Sequence, residues 1–223
     1  QAAEIIRGAT APRPEPAGFF VSGRASDARK NTVAVEQAND GNQPMTSTAD
    51  LGAVQSTGAP ALTGMRVVFS HGKESGPWGT KIRTHADFAK RFGADVESLD
   101  YADLSSPELR ADRLGVNLSA HPGPVVLVGS SMGGYASLVA AMRHPERVRG
   151  LFLLAPALFM PGYEVQEFPA PLPPLAVVHG WADDVIPVAN SIRFAQQHGA
   201  DLLLLTDDHR LKLRLDSIAE FFR

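Results

Sequence analysis

The sequence predicts a doubly wound α/β fold, with a mostly parallel six-stranded sheet and helices on both of its faces. The predicted strands are apolar throughout instead of alternating, which is typical of parallel strands buried on both sides. They alternate with helical segments along the chain, and right-handed crossovers would join them into one domain. The 223 residues, 44% of them apolar, are enough for one such domain or for two small ones.

The first three strands and helices follow one another from Met65 onward. "MRVVFS" is a buried strand, and "TKIRTHADFAKRFG" has amphipathic helical spacing that Gly93 stops. "ADVESLDY" is the second strand. The next helix starts with Ser106 as its N-cap and Pro107 at its first position, where no N–H is needed. "PVVLVGS" is the third strand, and a helix over about 131–143 follows it.

The second half of the pattern adds three strands and two helices. "VRGLFLLAPA" is the fourth strand, and the proline-rich passage "LFMPGYEVQEFPAPLPP" separates it from the fifth, "LAVVHG". A helix, "VANSIRFAQQHG", leads to the sixth strand, "DLLLLTDD", and "RLKLRLDSIAEFFR" closes the domain as a helix. In such a sheet the functional residues lie in loops at the carboxyl ends of the strands.

Residues 1–61 differ in composition from the rest of the chain. They are rich in Pro, Gly, Ala, Ser, Thr, Asn and Gln and show no sustained period of two or 3.6, so we expect an irregular segment. Because the chain opens on Gln1, we interpret this segment as read-through sequence ahead of a native start, for which Met45 is a better candidate than Met65, or as a loose tail. The alternative is a native extension that packs on the domain, which we place at 62–223.

Composition excludes several classes of function. A formal net charge of -3 gives no electrostatic reason to expect nucleic acid or a membrane as a partner. The absence of cysteine excludes disulfides, thiolate metal sites and cysteine nucleophiles. No run of about 18 apolar residues could span a membrane, and no signal pattern opens the chain. We therefore expect a cytoplasmic protein.

The motif "GSSMG", residues 129–133, stands where the third strand gives way to a helix. A sharp turn there strains the central residue, Ser131, and points its hydroxyl outward, while Gly129 and Gly133 avoid collisions with the neighbouring backbone. The alternative is a phosphate-binding or merely tight turn, but neither a dinucleotide fingerprint nor a P-loop lysine is present. The context favours a nucleophile.

A serine nucleophile needs a base and an orienting carboxylate. Of the three histidines beyond strand ends, His71 and His179 precede glycines at positions that look structural, whereas His209 follows the sixth strand and suits the base. The alternative for His209 is a surface residue that caps the last helix. Asp183 and Asp184, after the fifth strand, both suit the acid. The resulting order, serine, acid, histidine, is that of one particular fold.

From about residue 65 to residue 223 the chain resembles the α/β-hydrolase superfamily, in particular its small, cap-less, serine esterase-like members. The resemblance rests on "GSSMG", "HGWADDVIP" and the order of the three residues. It implies that Asp183 is the acid and that the oxyanion donors are the amides of Met132 and Lys73, with Gly72 less favoured than Lys73. The first two strands of the full fold are absent or hidden in the irregular N-terminal segment.

The side chains that follow the carboxyl ends of the strands indicate what kind of substrate the site would bind. Aromatic and thioether groups there would form an apolar pocket, although several could be core packing, the tryptophan at 181 especially. The passage 157–174 is too short for a large cap, so we expect an open site for short acyl chains. The predicted pocket residues are Trp78, Phe159, Met160, Tyr163 and Trp181.

We therefore predict a serine hydrolase that cleaves small carboxylic esters through an acyl-enzyme, without a cofactor. No His/Asp spacing matches a metal ligand set, and the acidic pairs at 183–184 and 207–208 are typical of turn and helix caps. The alternatives are a thioesterase or peptidase of the same fold, and a hydrolase-like binding module without turnover.

Overall fold

A computed structural model describes residues 19–22, 32–35 and 62–222. Its single sheet has eight strands in the order β2-β1-β8-β7-β6-β5-β3-β4, and β3 to β8 are mutually parallel. This confirms the predicted six-stranded parallel core. The strands are β1 (Phe19–Ser22), β2 (Thr32–Val35), β3 (Arg66–Ser70), β4 (Asp95–Leu99), β5 (Val125–Ser130), β6 (Val148–Leu154), β7 (Leu175–Gly180) and β8 (Asp201–Leu205).

Helices cover both faces of the sheet, as predicted. On one face α1 and α5 bury side chains against Val67 and Phe69 of β3, and on the other α2, α3 and α4 pack over a cluster that includes Val68. All three β3 side chains are fully buried, which explains why the strand is apolar without alternation. The helices are α1 (Thr80–Arg91), α2 (Pro107–Ala120), α3 (Met132–Arg143), α4 (Val188–His198) and α5 (Leu215–Phe222).

The N-terminal segment is not wholly irregular, which corrects the expectation for residues 1–61. Strands β1 and β2 pair antiparallel with each other, and β1 pairs antiparallel with β8, where Val21 lies opposite Leu202. The runs "FFVS" and "TVAV" are too short to show a period of two, and the free edge of β8 supplies the partner that makes them strands. Met45, the remainder of 1–61 and the domain boundary next to residue 62 lie outside the described residues.

The closing helix begins later than predicted. The sequence predicts a start at residue 210, but α5 starts at Leu215, and the preceding residues form a loop held by two aspartates. The Asp207 carboxylate accepts the N–H of Leu213, and the Asp208 carboxylate accepts the N–H of Arg210. Side-chain acceptors of this kind compete with helical hydrogen bonds, and so they favour turns. Asp207 and Asp208 therefore cap a turn, as the sequence suggested for acidic pairs.

Deleting residues 1–44 should leave kcat per folded molecule unchanged, because the candidate site residues lie between residues 72 and 209. The deletion removes β1 and β2 and leaves the leucine-rich β8 as an open edge, so the truncated protein should self-associate. Size-exclusion chromatography with an ester assay measures both effects. A deletion of 1–18, which keeps both strands, is the control; loss of activity in the monomeric fraction of the 1–44 deletion would contradict this view.

Within the part of the chain that the structure describes, none of the helices has both the length and the apolar character needed to cross a bilayer.

Candidate active site

Ser131 stands at the turn between β5 and α3 and has a strained backbone. Its φ is 56° and its ψ is -123°, a combination that non-glycine residues rarely adopt. Its carbonyl accepts the N–H groups of Gly134 and Ala157, and its own N–H bonds to Leu154, so three neighbouring segments hold the turn. The strained turn predicted from "GSSMG" is confirmed.

The glycines around Ser131 are required by close contacts. A Cβ at Gly129 would lie 2.5 Å from the carbonyl oxygen of Gly133 and 2.6 Å from the Cα of Gly134. A Cβ at Gly133 would collide with the carbonyl oxygens of Ser70 and His71. The first turn of α3 therefore packs directly against the end of β3, which brings the loop after β3 next to the serine.

The structure brings together the three residues proposed for catalysis. His209 Nε2 lies 3.0 Å from Ser131 Oγ, and His209 Nδ1 lies 2.7 Å from Asp183 Oδ2. The carboxylate can only accept, so Nδ1 carries the proton and Nε2 is free to accept from the serine hydroxyl. The Asp183 side chain is fully buried, whereas that of His209 is 18% exposed, so the imidazole is open to small molecules.

Asp183 and Asp184 have very different surroundings. Asp183 Oδ1 accepts the N–H groups of Val185 and Ile186 at 2.9 and 2.8 Å, while Asp184 is exposed. Burial alone would raise the pKa of Asp183, but hydrogen bonds from His179, His209 and these two amides outweigh it and hold the pKa well below its usual range. Asp183 therefore stays ionised beside the imidazole.

His179 is part of this arrangement, although the sequence suggested only a structural role. It is fully buried at the end of β7, and its Nε2 lies 3.0 Å from Asp183 Oδ2 and 3.1 Å from the Ile186 carbonyl. Both neighbours are acceptors, so Nε2 carries a proton and Ser191 Oγ, 2.7 Å away, donates to Nδ1. His179 and His209 thus both donate to Oδ2 of Asp183. In the sequence, the only indication of this role is that His179 stands four residues before the acid.

The predicted oxyanion donors lie on both sides of Ser131. Met132 begins α3 immediately after the serine, so its N–H belongs to the positive end of a helix. A Cβ at Gly72 would lie 3.2 Å from Ser131 Cβ, which places the loop with Lys73 against the nucleophile. Among the described residues, neither the Met132 N–H nor the Lys73 N–H has a hydrogen-bond acceptor. The arrangement can offer two amides to a developing oxyanion.

The predicted pocket residues lie in different places. The Trp78 ring lies 5.9 Å from Lys90 Nζ in the last turn of α1, so it extends along that helix. Trp181, two residues before Asp183, is 42% exposed, so core packing does not describe it.

Core packing does describe Phe159 and Tyr163, the two aromatic residues of the passage 157–174 that were predicted to line the pocket. Phe159 packs edge-on against Phe168, and Tyr163 packs edge-on against Tyr135. Met160 lies nearby, with its sulfur 3.9 Å from Asn190 Nδ2. The contacts described for these side chains are therefore with the scaffold.

The passage 157–174 is anchored to the domain. Tyr135 Oη accepts the N–H of Val165 and donates to Glu108, whose carboxylate also accepts the N–H of Glu164. Phe168 is buried and packs edge-on against Phe194 of α4 at 5.6 Å. These contacts tie the passage to α2, α3 and α4.

Comparison with known proteins identifies the family. A model of the esterase family matches residues 40–170, and a model of the α/β-hydrolase fold matches residues 119–222. A solved structure from Xanthomonas campestris, assigned to the α/β superfamily of hydrolases, is 34% identical, with a TM-score of 0.65 over 70% of this chain and 95% of that one. The chain belongs to the α/β-hydrolase superfamily. It is therefore a hydrolase, as the resemblance implied.

Two more distant proteins are also similar to this chain. The human palmitoyl-protein thioesterase ABHD10, mitochondrial, is 26% identical over 214 residues, which cover 67% of this chain and 68% of the relative. The structure of Est1E from Butyrivibrio proteoclasticus is 18% identical, with a TM-score of 0.58 over 71% of this chain and 86% of that one. At that identity, the likeness to Est1E shows the fold alone.

Proposed function

We propose that this α/β-hydrolase cleaves short-chain carboxylic esters through an acyl-enzyme formed on Ser131. The observation that carries the proposal is the hydrogen-bonded series from Asp183 through His209 to Ser131, which ends at a strained turn. Such a series supplies a nucleophile, a base that can accept its proton, and a carboxylate that keeps the base in the required tautomer.

In the first half-reaction Ser131 Oγ attacks the ester carbonyl while His209 Nε2 takes the hydroxyl proton. The carbonyl oxygen becomes an oxyanion, which the amides of Met132 and Lys73 stabilise. Asp183 stabilises the imidazolium without taking a proton from it. When the intermediate collapses, His209 returns the proton to the leaving alcohol, and the acyl group stays on Ser131.

In the second half-reaction water attacks the acyl-enzyme, and His209 takes the proton from that water. The new oxyanion occupies the same two amides. Collapse releases the carboxylic acid and returns the proton to Ser131 Oγ, which restores the starting state. No redox step occurs and no cofactor is needed.

The anchored passage 157–174 supports a preference for short acyl chains, because this passage is too short and too firmly held to cover a long apolar tail. A thioesterase is the second candidate, because ABHD10, at 26% identity, is named for thioester cleavage. Thioesters use the same nucleophile and oxyanion donors, so the leaving group separates the two candidates.

Release of p-nitrophenol from acetate, butyrate, octanoate and palmitate esters tests the proposal, with the same acyl groups offered as coenzyme A thioesters. We expect turnover to be greatest for acetate and butyrate, higher for the esters than for the thioesters, and lost in Ser131→Ala. A preference for palmitoyl thioester would favour the second candidate. Turnover that persists in Ser131→Ala would contradict both candidates.

The small size of Gly72 should be necessary for activity. In Gly72→Ala the new Cβ lies 3.2 Å from Ser131 Cβ, closer than ordinary van der Waals contact, so the serine or the loop must shift. We expect kcat to fall roughly tenfold or more, since small displacements of reacting groups are costly. Gly76→Ala is the matched control, because a Cβ there meets nothing within 4 Å. Equal kcat values in the two variants would contradict the placement of this loop.

A further inference from the structure

Arg110 is a buried cation without a carboxylate partner among the described residues. It lies in α2 and is 2% exposed, and its guanidinium bonds instead to three backbone carbonyls. Nε donates to the Leu104 carbonyl at 2.9 Å, Nη1 to that of His71 at 3.1 Å and Nη2 to that of Tyr101 at 3.4 Å. Burying an arginine is costly unless its donors are satisfied. We therefore look for the role of the buried Arg110 in the two loops whose carbonyls it contacts.

The three carbonyls belong to two loops at the carboxyl edge of the sheet. His71 opens the loop after β3, and Tyr101 and Leu104 lie in the loop between β4 and α2. The same loops are joined a second time, because the Tyr101 N–H donates to His71 Nε2 at 3.1 Å. His71 Nδ1 therefore carries the proton and donates to the Gly72 carbonyl at 2.7 Å.

These bonds fix the orientation of two successive peptide units. In a trans peptide the C=O of one residue and the N–H of the next point in opposite directions. Because Arg110 holds the His71 carbonyl, it also sets the direction of the Gly72 N–H. Because His71 holds the Gly72 carbonyl, it sets the direction of the Lys73 N–H, the candidate oxyanion donor.

We propose that Arg110 is a positioning residue for the oxyanion loop and that it acts through His71 on the Gly72 and Lys73 amides. It touches no reacting atom. The inference rests on the proposed function, since it assigns a cause to the geometry of one oxyanion donor. The planar guanidinium, with three donors to three carbonyls, has a shape that a lysine ammonium cannot reproduce.

The test uses propyl trifluoromethyl ketone, which forms a tetrahedral oxyanion adduct with a serine nucleophile and matches the butyryl group. Its inhibition constant, Ki, describes the folded molecules alone, so a partly unfolded variant does not distort it. Together with kcat and KM for p-nitrophenyl butyrate per titrated active site, Ki separates loosened positioning from mere loss of stability.

In Arg110→Met we expect Ki to rise and kcat to fall in parallel, each by about tenfold or more, with KM within twofold. Loss of a whole oxyanion donor costs about 10²–10³ in kcat, and a loosened donor costs less. Arg143→Met is the matched control. Arg143 bonds to the Asp112 carboxylate of α2, so this change removes another arginine held against the same helix but bonded to neither of the two loops. Its values should stay within twofold of wild type.

Wild-type Ki and kcat in folded Arg110→Met would overturn the inference, as would a fall in kcat with Ki unchanged. If Arg110→Met does not fold, Arg110→Lys decides in the same way: parallel changes support the inference and wild-type values overturn it. Failure of the proposed function gives a different result, because the wild-type protein itself would then neither turn over the ester nor bind the ketone.

Discussion

Asp183→Asn should reduce kcat by about 10³–10⁴, the scale expected when the acid of a serine–histidine–acid arrangement becomes an amide. The asparagine NH₂ can face His209 Nδ1, and that favours the tautomer in which Nε2 is protonated and cannot accept from Ser131. Steady-state hydrolysis of p-nitrophenyl butyrate measures the effect. Asp184→Asn is the matched control, because that side chain is exposed and adjacent in sequence. Equal losses in the two variants would mean that the acid is misassigned.

The same variant should reveal how Asp183 links stability to pH. The pKa of Asp183 in the folded protein lies well below its unfolded value of about 3.9. The ionised carboxylate therefore contributes stability that is fully present above that value and is lost as pH falls through the folded pKa. Urea unfolding should show a constant difference between wild type and Asp183→Asn from pH 5 to 8, and a shrinking difference below about pH 4. A difference that grows on acidification would contradict this assignment.

His179→Leu should produce the second large effect, a fall in kcat of about 10- to 100-fold. Removing the imidazole takes one donor from Asp183 Oδ2 and leaves Ser191 Oγ without its partner, so the carboxylate loses its fixed orientation toward His209. The free energy of unfolding should fall by about 1–3 kcal/mol, because buried polar groups lose their hydrogen bonds. Hydrolysis of the butyrate ester and urea unfolding measure the two changes.

A second buried histidine provides the control for this variant. His85 is as fully buried as His179, but its Nδ1 bonds to the Lys81 carbonyl in α1 and its ring lies against Phe152 and Phe222. His85→Leu should therefore alter stability while leaving kcat per folded molecule within about threefold of wild type. Comparable losses of kcat in both variants would show that removing any buried imidazole lowers kcat. That result would contradict the view that His179 acts through Asp183.

The parallel core of the fold could be predicted because its signals are local. Strands β3 and β5 to β8 are apolar runs whose two faces are both covered, and each run is long enough to recognise without knowledge of its neighbours. Strand β4, at the edge of the sheet, is more polar and partly exposed. Strands β1 and β2 could not be predicted, since four residues carry little periodicity and their pairing depends on the distant β8. The start of α5 was missed because Asp207 and Asp208 compete for backbone N–H groups.

In the candidate site, too, the residues marked by local sequence patterns could be predicted, and those that depend on tertiary contacts could not. Ser131 and His209 follow from a local motif and from positions after strand ends, and the resemblance to α/β-hydrolases separates Asp183 from Asp184. The contributions of His179 and Arg110 depend on distances across the fold that no spacing in the sequence encodes. For the same reason, the sequence does not show that the Trp78 ring lies near Lys90 of α1.

The acyl-enzyme can be detected directly from the mass of the protein, quenched with acid in the first turnovers of p-nitrophenyl butyrate. The proposed mechanism predicts one added butyryl group, mapped by peptide digestion to Ser131, together with a burst of p-nitrophenol equal to the concentration of active sites. Ser131→Ala should show neither the burst nor the adduct. A stable butyryl group on another residue, or full turnover in Ser131→Ala, would contradict the proposed mechanism.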